Sequence, residues 1–122
     1  MAKYSPIRHR DNWFQGERKR FEWPIVDDEG SPLDLTGREL QWRLFPHSGS
    51  SKVLIELGPD DFEEPEGEEH NVAVWVLEDT TYTVGEETLH LPAAWYHFEL
   101  WDKANNVLLS YAGAKLRRAN SR

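Results

Sequence analysis

The stretch Glu39-Leu40-Gln41-Trp42-Arg43-Leu44-Phe45 decides the fold class, because its side chains alternate in character. Leucine, tryptophan and leucine occupy every second position, and glutamine and arginine lie between them. A period of two is typical of a half-buried β-strand, whose successive side chains point to opposite faces of the sheet. The stretch therefore predicts a strand with Trp42 in the core.

The same period recurs farther along the chain. Residues 71–77 carry valine at every second position, and Ala73, Trp75 and Leu77 make the other face apolar as well. Residues 96–101 alternate in the same way, and a last strand runs through residues 109–113. Two more runs, residues 20–26 and 52–57, are rich in β-branched and aromatic residues, which favour strands. Together these runs predict about seven short strands.

Turn-forming residues separate these runs at short intervals, as expected for an antiparallel sandwich or barrel. They are Asp27-Asp28-Glu29-Gly30, Pro46-His47-Ser48-Gly49-Ser50, Gly58-Pro59-Asp60 and Lys103-Ala104-Asn105-Asn106. Pro24 lacks a backbone donor, which places its strand at an edge or a bulge. We expect one short helical turn within residues 78–85, with Gly85 ending it.

These patterns predict an all-β protein with a single antiparallel β-sandwich. We expect an extended basic arm over residues 1–12, the sandwich domain over residues 13–116 and a flexible basic tail over residues 117–122. The length of 122 residues supports one core, since a chain of this size buries roughly two-thirds of its unfolded surface.

The composition excludes several classes of protein. The chain has no cysteine, so disulfide scaffolds, cysteine-ligated zinc and thiol nucleophiles are ruled out. Its longest apolar run, the six residues 72–77, is far shorter than the roughly 20 residues that cross a bilayer, and no membrane partner is expected. No signal-peptide core follows the first residues, so we expect the protein to be intracellular when made.

Charge is divided sharply along the chain. Residues 1–20 and 115–122 hold ten of the 14 basic residues and two of the 22 acidic ones, a net charge of +8. Residues 21–114 hold four basic and twenty acidic residues, a net charge of −16, and seven of these acids lie within residues 60–69. The segments are either simply solvated, or the basic ends dock on the acidic body of a neighbouring copy. Nucleic acid is not expected as a partner, because the acidic body would repel phosphates within a Debye length of about 8 Å.

The six tryptophans are the second unusual feature of the composition. Trp13, Trp75 and Trp101 form either a second core layer or apolar anchors at an interface, and the sequence leaves both readings open. Exposed tryptophans that stack on sugar rings are a third possibility. Charge and aromatic content together predict these partner-binding residues: Arg8, Arg10, Trp13, Arg18, Lys19, Arg20, Trp75, Trp101, Lys115, Arg117 and Arg118.

No pattern for catalysis or metal binding stands out. His97 and Glu99 share one face of a strand and His90 could approach them, a set suited to zinc or iron, but a strand's outer face commonly carries such residues. Nucleophile elbows, phosphate-binding glycine loops and His-Glu-x-x-His are all missing from the sequence. The carboxylates of residues 60–69 belong to a solvated loop and lack calcium-site order. We expect no enzyme activity, cofactor, metal or small-molecule substrate.

One segment is more specific than the rest. It is Trp23-Pro24-Ile25-Val26-Asp27-Asp28-Glu29-Gly30-Ser31-Pro32-Leu33-Asp34-Leu35-Thr36-Gly37, followed by Leu40-Gln41-Trp42-Arg43. This succession of strand, acidic turn, corner and strand resembles small β-sandwich proteins of tailed bacteriophages, in particular the amino-terminal domain of siphophage baseplate upper proteins. A threonine-rich turn, residues 91–101 and a closing strand through Gly113 extend the resemblance over residues 14–116.

The resemblance implies an immunoglobulin-like sandwich without catalytic residues. It implies a structural component of a tailed-phage virion, in the tail or baseplate, that acts by non-covalent assembly with other virion proteins. A capsid decoration or cement protein is the alternative, and a carbohydrate-binding module a more distant one. The chain would then be multi-copy or homo-oligomeric, and would be found in the virion after assembly in the host cytoplasm.

Overall fold

The structure is a computed structural model that describes the backbone of residues 3–4 and 12–118 and the side chains of residues 12–118. The described chain is all-β and forms ten strands, and Pro59–Asp61 forms a single turn of 3-10 helix. The strands are β1 (Lys3–Tyr4), β2 (Trp13–Phe14), β3 (Lys19–Pro24), β4 (Leu40–Phe45), β5 (Ile55–Leu57), β6 (Val72–Leu77), β7 (Thr81–Val84), β8 (Glu87–His90), β9 (Ala94–Asp102) and β10 (Val107–Arg117).

Two sheets stack around one core in a β-sandwich-like arrangement. The larger sheet has the order β1-β10-β9-β4-β5, with β2 also paired to β10, and the smaller sheet pairs β3 with β6. Neighbouring strands are antiparallel, except that β1 and β2 run parallel to β10. The strand count exceeds the predicted seven because β1 and β2 are only two residues long and the hairpin β7-β8 was not anticipated.

Aromatic rings fill the space between the sheets. Phe21 and Trp75 come from the smaller sheet and stack at 5.2 Å between ring centroids. Trp42 and Phe98 come from the larger sheet and meet edge to face at 4.7 Å. Trp42 lies 5.2 Å from Trp75, which joins the two layers, and it is fully buried as predicted. Such rings each bury 150–250 Å², so this cluster is the main source of hydrophobic stabilisation.

The expectation of a helical turn within residues 78–85 is wrong. The segment forms β7 and, with β8, an antiparallel hairpin in which Val84 pairs with Glu87. The run Thr81-Tyr82-Thr83-Val84 is β-branched or aromatic throughout, which favours a strand. Gly85 has φ of 62° in the two-residue loop and supplies the left-handed conformation that such a tight hairpin needs.

The segment that carries the phage resemblance forms a turn and a corner. Asp27 accepts a hydrogen bond from the backbone N–H of Ser31 at 3.0 Å, and Gly30 in the same turn has φ of 85°. Leu35 is buried at the end of the sandwich. Asp34 accepts a hydrogen bond from the backbone N–H of Thr36 at 2.8 Å, and this bond holds the pKa of Asp34 below its usual value. The segment therefore closes one end of the core.

The two ends of the chain adjoin the same strand. Lys3 and Tyr4 pair with Ser110 and Tyr111 of β10, so part of the segment expected to be an extended arm belongs to the sheet. Strand β10 continues to Arg117, one residue into the expected tail. The arm residues Arg8 and Arg10 lie outside the described residues.

Candidate interaction surfaces

Most basic side chains at the start of the sandwich are paired within the chain. The Arg18 guanidinium contacts the Glu78 carboxylate at 2.9 Å. Arg20 contacts three carboxylates, namely Glu22, Glu63 and Glu66. The hydrogen bond with Glu66 raises the pKa of Arg20 above its usual value. Arg20 therefore restrains residues 60–69, the acidic loop of its own chain, and is less available to a neighbour than the sequence suggested.

Lys19 differs from its two basic neighbours. Its ammonium lies 5.7 Å from the centroid of the Phe21 ring, within the range of a cation–π contact. Its side chain is half-buried. Like Arg18 and Arg20, it is thus engaged with its own domain.

The interpretation of Trp13 and Trp75 as exposed anchors is wrong. Trp13 is 2% exposed and Trp75 is 0% exposed, and both belong to the core. In the strand pairing, Trp75 lies opposite Phe21, so its face of β6 is the one turned towards the larger sheet. Trp13 packs edge to face on Phe98 at 5.7 Å. Both follow the other alternative that the sequence left open, a second layer of core.

Trp101 lies on the outer face of the larger sheet and is half-buried. Its indole N–H donates to Glu99 at 2.9 Å, and the Arg43 guanidinium lies 5.3 Å from its ring centroid. Glu99 also contacts His97 at 3.0 Å. These contacts form a polar and aromatic row across β4 and β9, in which the Trp101 ring is partly covered by its neighbours.

The His97–Glu99 contact does not extend to a metal centre. His90 lies on β8, where it pairs with Thr81 of the small hairpin. Within residues 12–118, no group of three or more histidine and carboxylate side chains is arranged to hold a metal ion. The two residues instead form an ordinary hydrogen bond on a strand face.

The three basic residues near the end of β10 are free of such pairing. Lys115, Arg117 and Arg118 are exposed, and none of them forms an ion pair with any residue in the described part of the chain. The side chain opposite Lys115 in the register is Trp95, which is 62% exposed, the largest exposure of any large apolar side chain described. We call Trp95, Lys115, Arg117 and Arg118 the basic end.

A shallow groove of about 280 Å³ borders Trp95 on the outer sheet face. Its lining includes His47, His97, Tyr111 and Gly113. Gly113 pairs with His97 in regular register, and a glycine within a strand often marks a place where another group approaches closely. The groove thus offers an indole face together with polar ring atoms.

A second groove, of about 350 Å³, opens at the other end of the sandwich. Leu35, Leu40 and Phe62 supply its apolar lining, and Glu63 and Glu64 supply carboxylates. We call this the acidic groove. Glu64 in its lining, and the exposed Asp60, Glu68 and Glu69 of the segment 59–70 that supplies part of the lining, form no ion pair with any residue from 12 to 118.

A partly buried ion pair fixes one wall of the acidic groove. Arg38, which lines the groove, donates to the buried carboxylate of Asp102 at 2.9 Å. The side-chain amide of Asn105 donates to the same carboxylate at 2.9 Å, and it is the main reason that the pKa of Asp102 lies below its usual value. The charge of Arg38 is therefore largely compensated, and Glu64 is the carboxylate of the lining that is left without an ion pair among the described residues.

The register of β9 places the two surfaces far apart. Ala94, next to Trp95, pairs with Leu116 at the basic end, whereas Asp102 pairs with Leu40 of the acidic groove. Ala94 and Asp102 are eight residue steps apart along the extended strand, which corresponds to about 26 Å. The described domain thus carries unpaired positive charge near one end and unpaired negative charge at the other.

Comparison with protein-family models and with curated proteins gave no match for this chain. Among the residues that the structure describes, none forms a helix with the length and apolar character needed to span a membrane.

Sequence reasoning missed Trp95 and the acidic groove. The signal for Trp95 was present, because residues 96, 98 and 100 alternate as the core face and leave position 95 on the outer face with 97, 99 and 101. The groove left no such signal, since its lining comes from segments 35–40 and 59–70, whose proximity depends on the packing of the two sheets.

Proposed function

We propose that this protein is a structural component of a tailed-phage virion, in the tail or baseplate, which acts by non-covalent assembly with its neighbours. The observation that carries the proposal is segment 23–37, the part of the chain that resembles baseplate upper proteins. It forms a turn and a corner, stabilised by the hydrogen bonds of Asp27 and Asp34 and by the burial of Leu35. The proposal is of a domain that is held in place by its neighbours and has no enzyme activity, cofactor, nucleic acid or membrane partner.

The immunoglobulin-like fold is part of this proposal, and the strand order supports it. In one sheet of an immunoglobulin-like domain, strands G, F and C are neighbours in that order. The variable type adds strand C′ to this sheet. The sheet order β10-β9-β4-β5 has that form. The pair β3-β6 would then correspond to strands B and E of the opposite sheet.

Two local features favour the same fold. Tyr96, near the start of β9, donates its hydroxyl to the carbonyl of Pro92 at 2.5 Å, which resembles the tyrosine corner of immunoglobulin-like domains. The second disulfide cysteine of antibody domains lies two residues after that tyrosine, and here the position is Phe98. Phe98 meets Phe21 of β3 edge to face at 5.7 Å, so an aromatic contact between the sheets takes the place of a disulfide.

The assembly would use the basic end. Trp95 supplies an exposed indole, and Lys115, Arg117 and Arg118 supply positive charge that is not used within the described domain. Tryptophan and arginine are the residue types most enriched among the energetically dominant contacts of protein interfaces. We therefore propose that the neighbours are other virion proteins, further copies of this chain among them.

The proposal is tested on CsCl-banded particles of the phage whose genome encodes the chain. Quantitative mass spectrometry should find the protein at a fixed ratio to the major capsid protein, and separated tails should retain it. Its absence from banded particles would overturn the proposal. Its recovery with tail-free heads would instead favour the capsid decoration or cement alternative.

A carbohydrate-binding module is a second candidate, favoured by the groove beside Trp95. The indole face, His47 and Tyr111 are suited to stacking on a sugar ring and hydrogen bonding to its hydroxyl groups. Tryptophan fluorescence should then change as a panel of glycans is titrated, and Trp95→Ser should remove the change. A flat titration with the whole panel would eliminate this candidate.

A further inference from the structure

We propose that copies of this protein associate head to tail, with the basic end of one copy docked in the acidic groove of the next. The inference rests on the proposed assembly role and makes it specific, because it names the partner as a second copy and identifies both contacting surfaces. Trp95 would enter the groove, and Lys115, Arg117 and Arg118 would meet its carboxylates.

The two surfaces are complementary in both apolar character and charge. The acidic groove combines an apolar lining, formed by Leu35, Leu40 and Phe62, with carboxylates at its rim. The basic end likewise combines an apolar group, the exposed Trp95 indole, with charged groups, which here are cations. A buried aromatic anchor surrounded by polar contacts that exclude water is the usual form of an energetic hot spot. The groove volume of about 350 Å³ leaves room for a large side chain.

Three arginines elsewhere on the described domain are not available for such a contact. Arg18, Arg20 and Arg43 are already paired with Glu78, Glu66 and Glu56, respectively. In the described chain, by contrast, neither the three cations of the basic end nor Glu64, Glu68 and Glu69 have an ion-pair partner. Complementary unpaired potentials steer association and fix its register.

The basic side chains at Lys115 and Arg117 cannot reach the acidic groove of their own domain. Both residues lie in β10, where Arg117 is held by its pairing with Phe14. The groove lies about 26 Å away along the strands, well beyond the length of a lysine or arginine side chain. Contact between these cations and the groove therefore requires another molecule.

Such a contact is heterologous, because the two copies contribute different surfaces. After each addition the growing assembly keeps one free basic end, at one terminus, and one free groove, at the other. An assembly of this kind closes into a ring if the rotation between copies allows it, and otherwise extends as a filament. Rings of identical subunits are one way in which a multi-copy component could fit around an axis.

Sedimentation velocity of the full chain over a range of concentrations tests the inference. The end-reversal variant K115E/R117E/R118E and the groove-reversal variant E64K/E68K/E69K should each weaken self-association by at least about tenfold. Glu63 and Glu66 are left unchanged so that Arg20 keeps its contacts. Trp95→Ser should have a similar effect with no change of charge. Association of the unaltered chain should weaken as the salt concentration rises from 50 mM to 500 mM, where the Debye length is shorter.

Mixing the two reversal variants provides the decisive result. The acidic end of one variant then fits the basic groove of the other, so the mixture should form larger species although each variant alone is monomeric. A chain that carries both reversals should associate by itself. Matched control variants, K52E and E86K/E87K, alter exposed charges elsewhere and should leave association unchanged.

The inference is overturned if the unaltered chain stays monomeric at millimolar concentration, if either reversal has no effect, or if the mixture fails to associate. These outcomes are separable from failure of the proposed function. A monomer that is present in banded particles contradicts only the head-to-tail contact, whereas a chain that associates but is missing from particles contradicts only the virion role. Melting temperatures close to that of the unaltered chain show that each variant is folded.

Discussion

Trp75 and Trp95 lie in similar alternating stretches, yet one is fully buried and the other is 62% exposed. The difference in exposure goes with the residue that lies opposite each tryptophan on the neighbouring strand, and with the side of the sheet that the pair occupies. Trp75 lies opposite Phe21, on the side of β6 that meets the larger sheet, whereas Trp95 lies opposite Lys115, on the outer side of β9. The strand's own hydrophobicity is therefore a poor guide where both of its faces are apolar, and the register with the neighbouring strand decides which side is buried.

The largest effect is expected from truncating the interior member of this pair. Trp75→Ala should lower the free energy of unfolding by about 3–5 kcal/mol, since it removes an indole packed against Phe21, Trp42 and Phe62 and leaves a cavity. Urea denaturation followed by circular dichroism measures the change.

Trp75→Phe is the matched control for that truncation. It keeps an aromatic ring and removes an indole N–H that has no hydrogen-bond partner among the described residues, so it should cost under about 1.5 kcal/mol. Equal losses for the two variants would contradict the packing described for this site.

Substitutions of Asp102 test how much its hydrogen bonds with Arg38 and Asn105 stabilise the fold. Asp102→Ala should cost about 2 kcal/mol at pH 7, because it removes the acceptor for Arg38 and Asn105. The cost stays below that of a fully buried pair because the Arg38 side chain is 31% exposed and can be hydrated. Asp102→Asn keeps the size of the side chain and should cost less in chemical denaturation. A neutral Asp102→Ala variant would contradict a stabilising role for this cluster.

Asp102 also predicts a pH dependence of stability. Its pKa in the folded chain lies below the usual value, so its contribution is fully present above the unfolded-state pKa of about 4 and is lost as the pH falls through the folded-state pKa. Urea midpoints measured between pH 2 and pH 7 should fall less steeply below pH 4 for Asp102→Asn than for the unaltered chain. Parallel acid limbs would contradict the prediction.

A smaller effect is expected at Tyr96, which is buried, because the change removes a single hydrogen bond. Tyr96→Phe keeps the buried ring and removes only the hydroxyl that donates to Pro92. The loss should be about 1 kcal/mol, the usual net contribution of one hydrogen bond. Burial raises the pKa of the Tyr96 hydroxyl, so its ultraviolet titration should occur at a higher pH than that of an exposed tyrosine and should be missing from the variant.

The smallest effect is expected at the exterior member of the pair. Trp95→Ser should change the free energy of unfolding by no more than about 0.5 kcal/mol, as is usual for exposed positions. The same urea experiment measures it. A loss as large as that of Trp75→Ala would show that Trp95 supports the fold, and the comparison between the two tryptophans would no longer hold.

Much of the fold followed from local pattern. The alternation over residues 39–45 predicted β4 and the burial of Trp42, and Pro24 correctly indicated an edge, since within the described chain β3 pairs only with β6. The hairpin of β7 and β8 was missed because Asp79, Thr80 and Thr81 also suit a helix cap, and only the two-residue loop at Gly85 distinguishes the alternatives.

The candidate surfaces were less accessible to prediction. The basic residues of segments 18–20 and 115–118 look alike in sequence, but Arg20 lies beside the acidic loop and Arg117 does not. Whether a basic residue is ion-paired depends on which residues the fold brings into contact with it, not on local composition. The proximity of Glu63 and Glu66 to Arg20 arises because the segment of the acidic loop pairs with β6 through Phe62 and Glu66.

The tryptophans allow the packing of the core and the state of the exposed end to be followed by spectroscopy without a label. The indoles of Trp23 and Trp42 lie 6.0 and 5.2 Å from that of Trp75, close enough for their electronic transitions to couple and to add an aromatic band to the far-ultraviolet spectrum. The Trp95 side chain is largely exposed to water, so its fluorescence should be at a longer wavelength than that of these three. One unlabelled sample therefore carries a probe of interior packing and a separate probe of its exposed end, so unfolding and docking can be followed at different wavelengths.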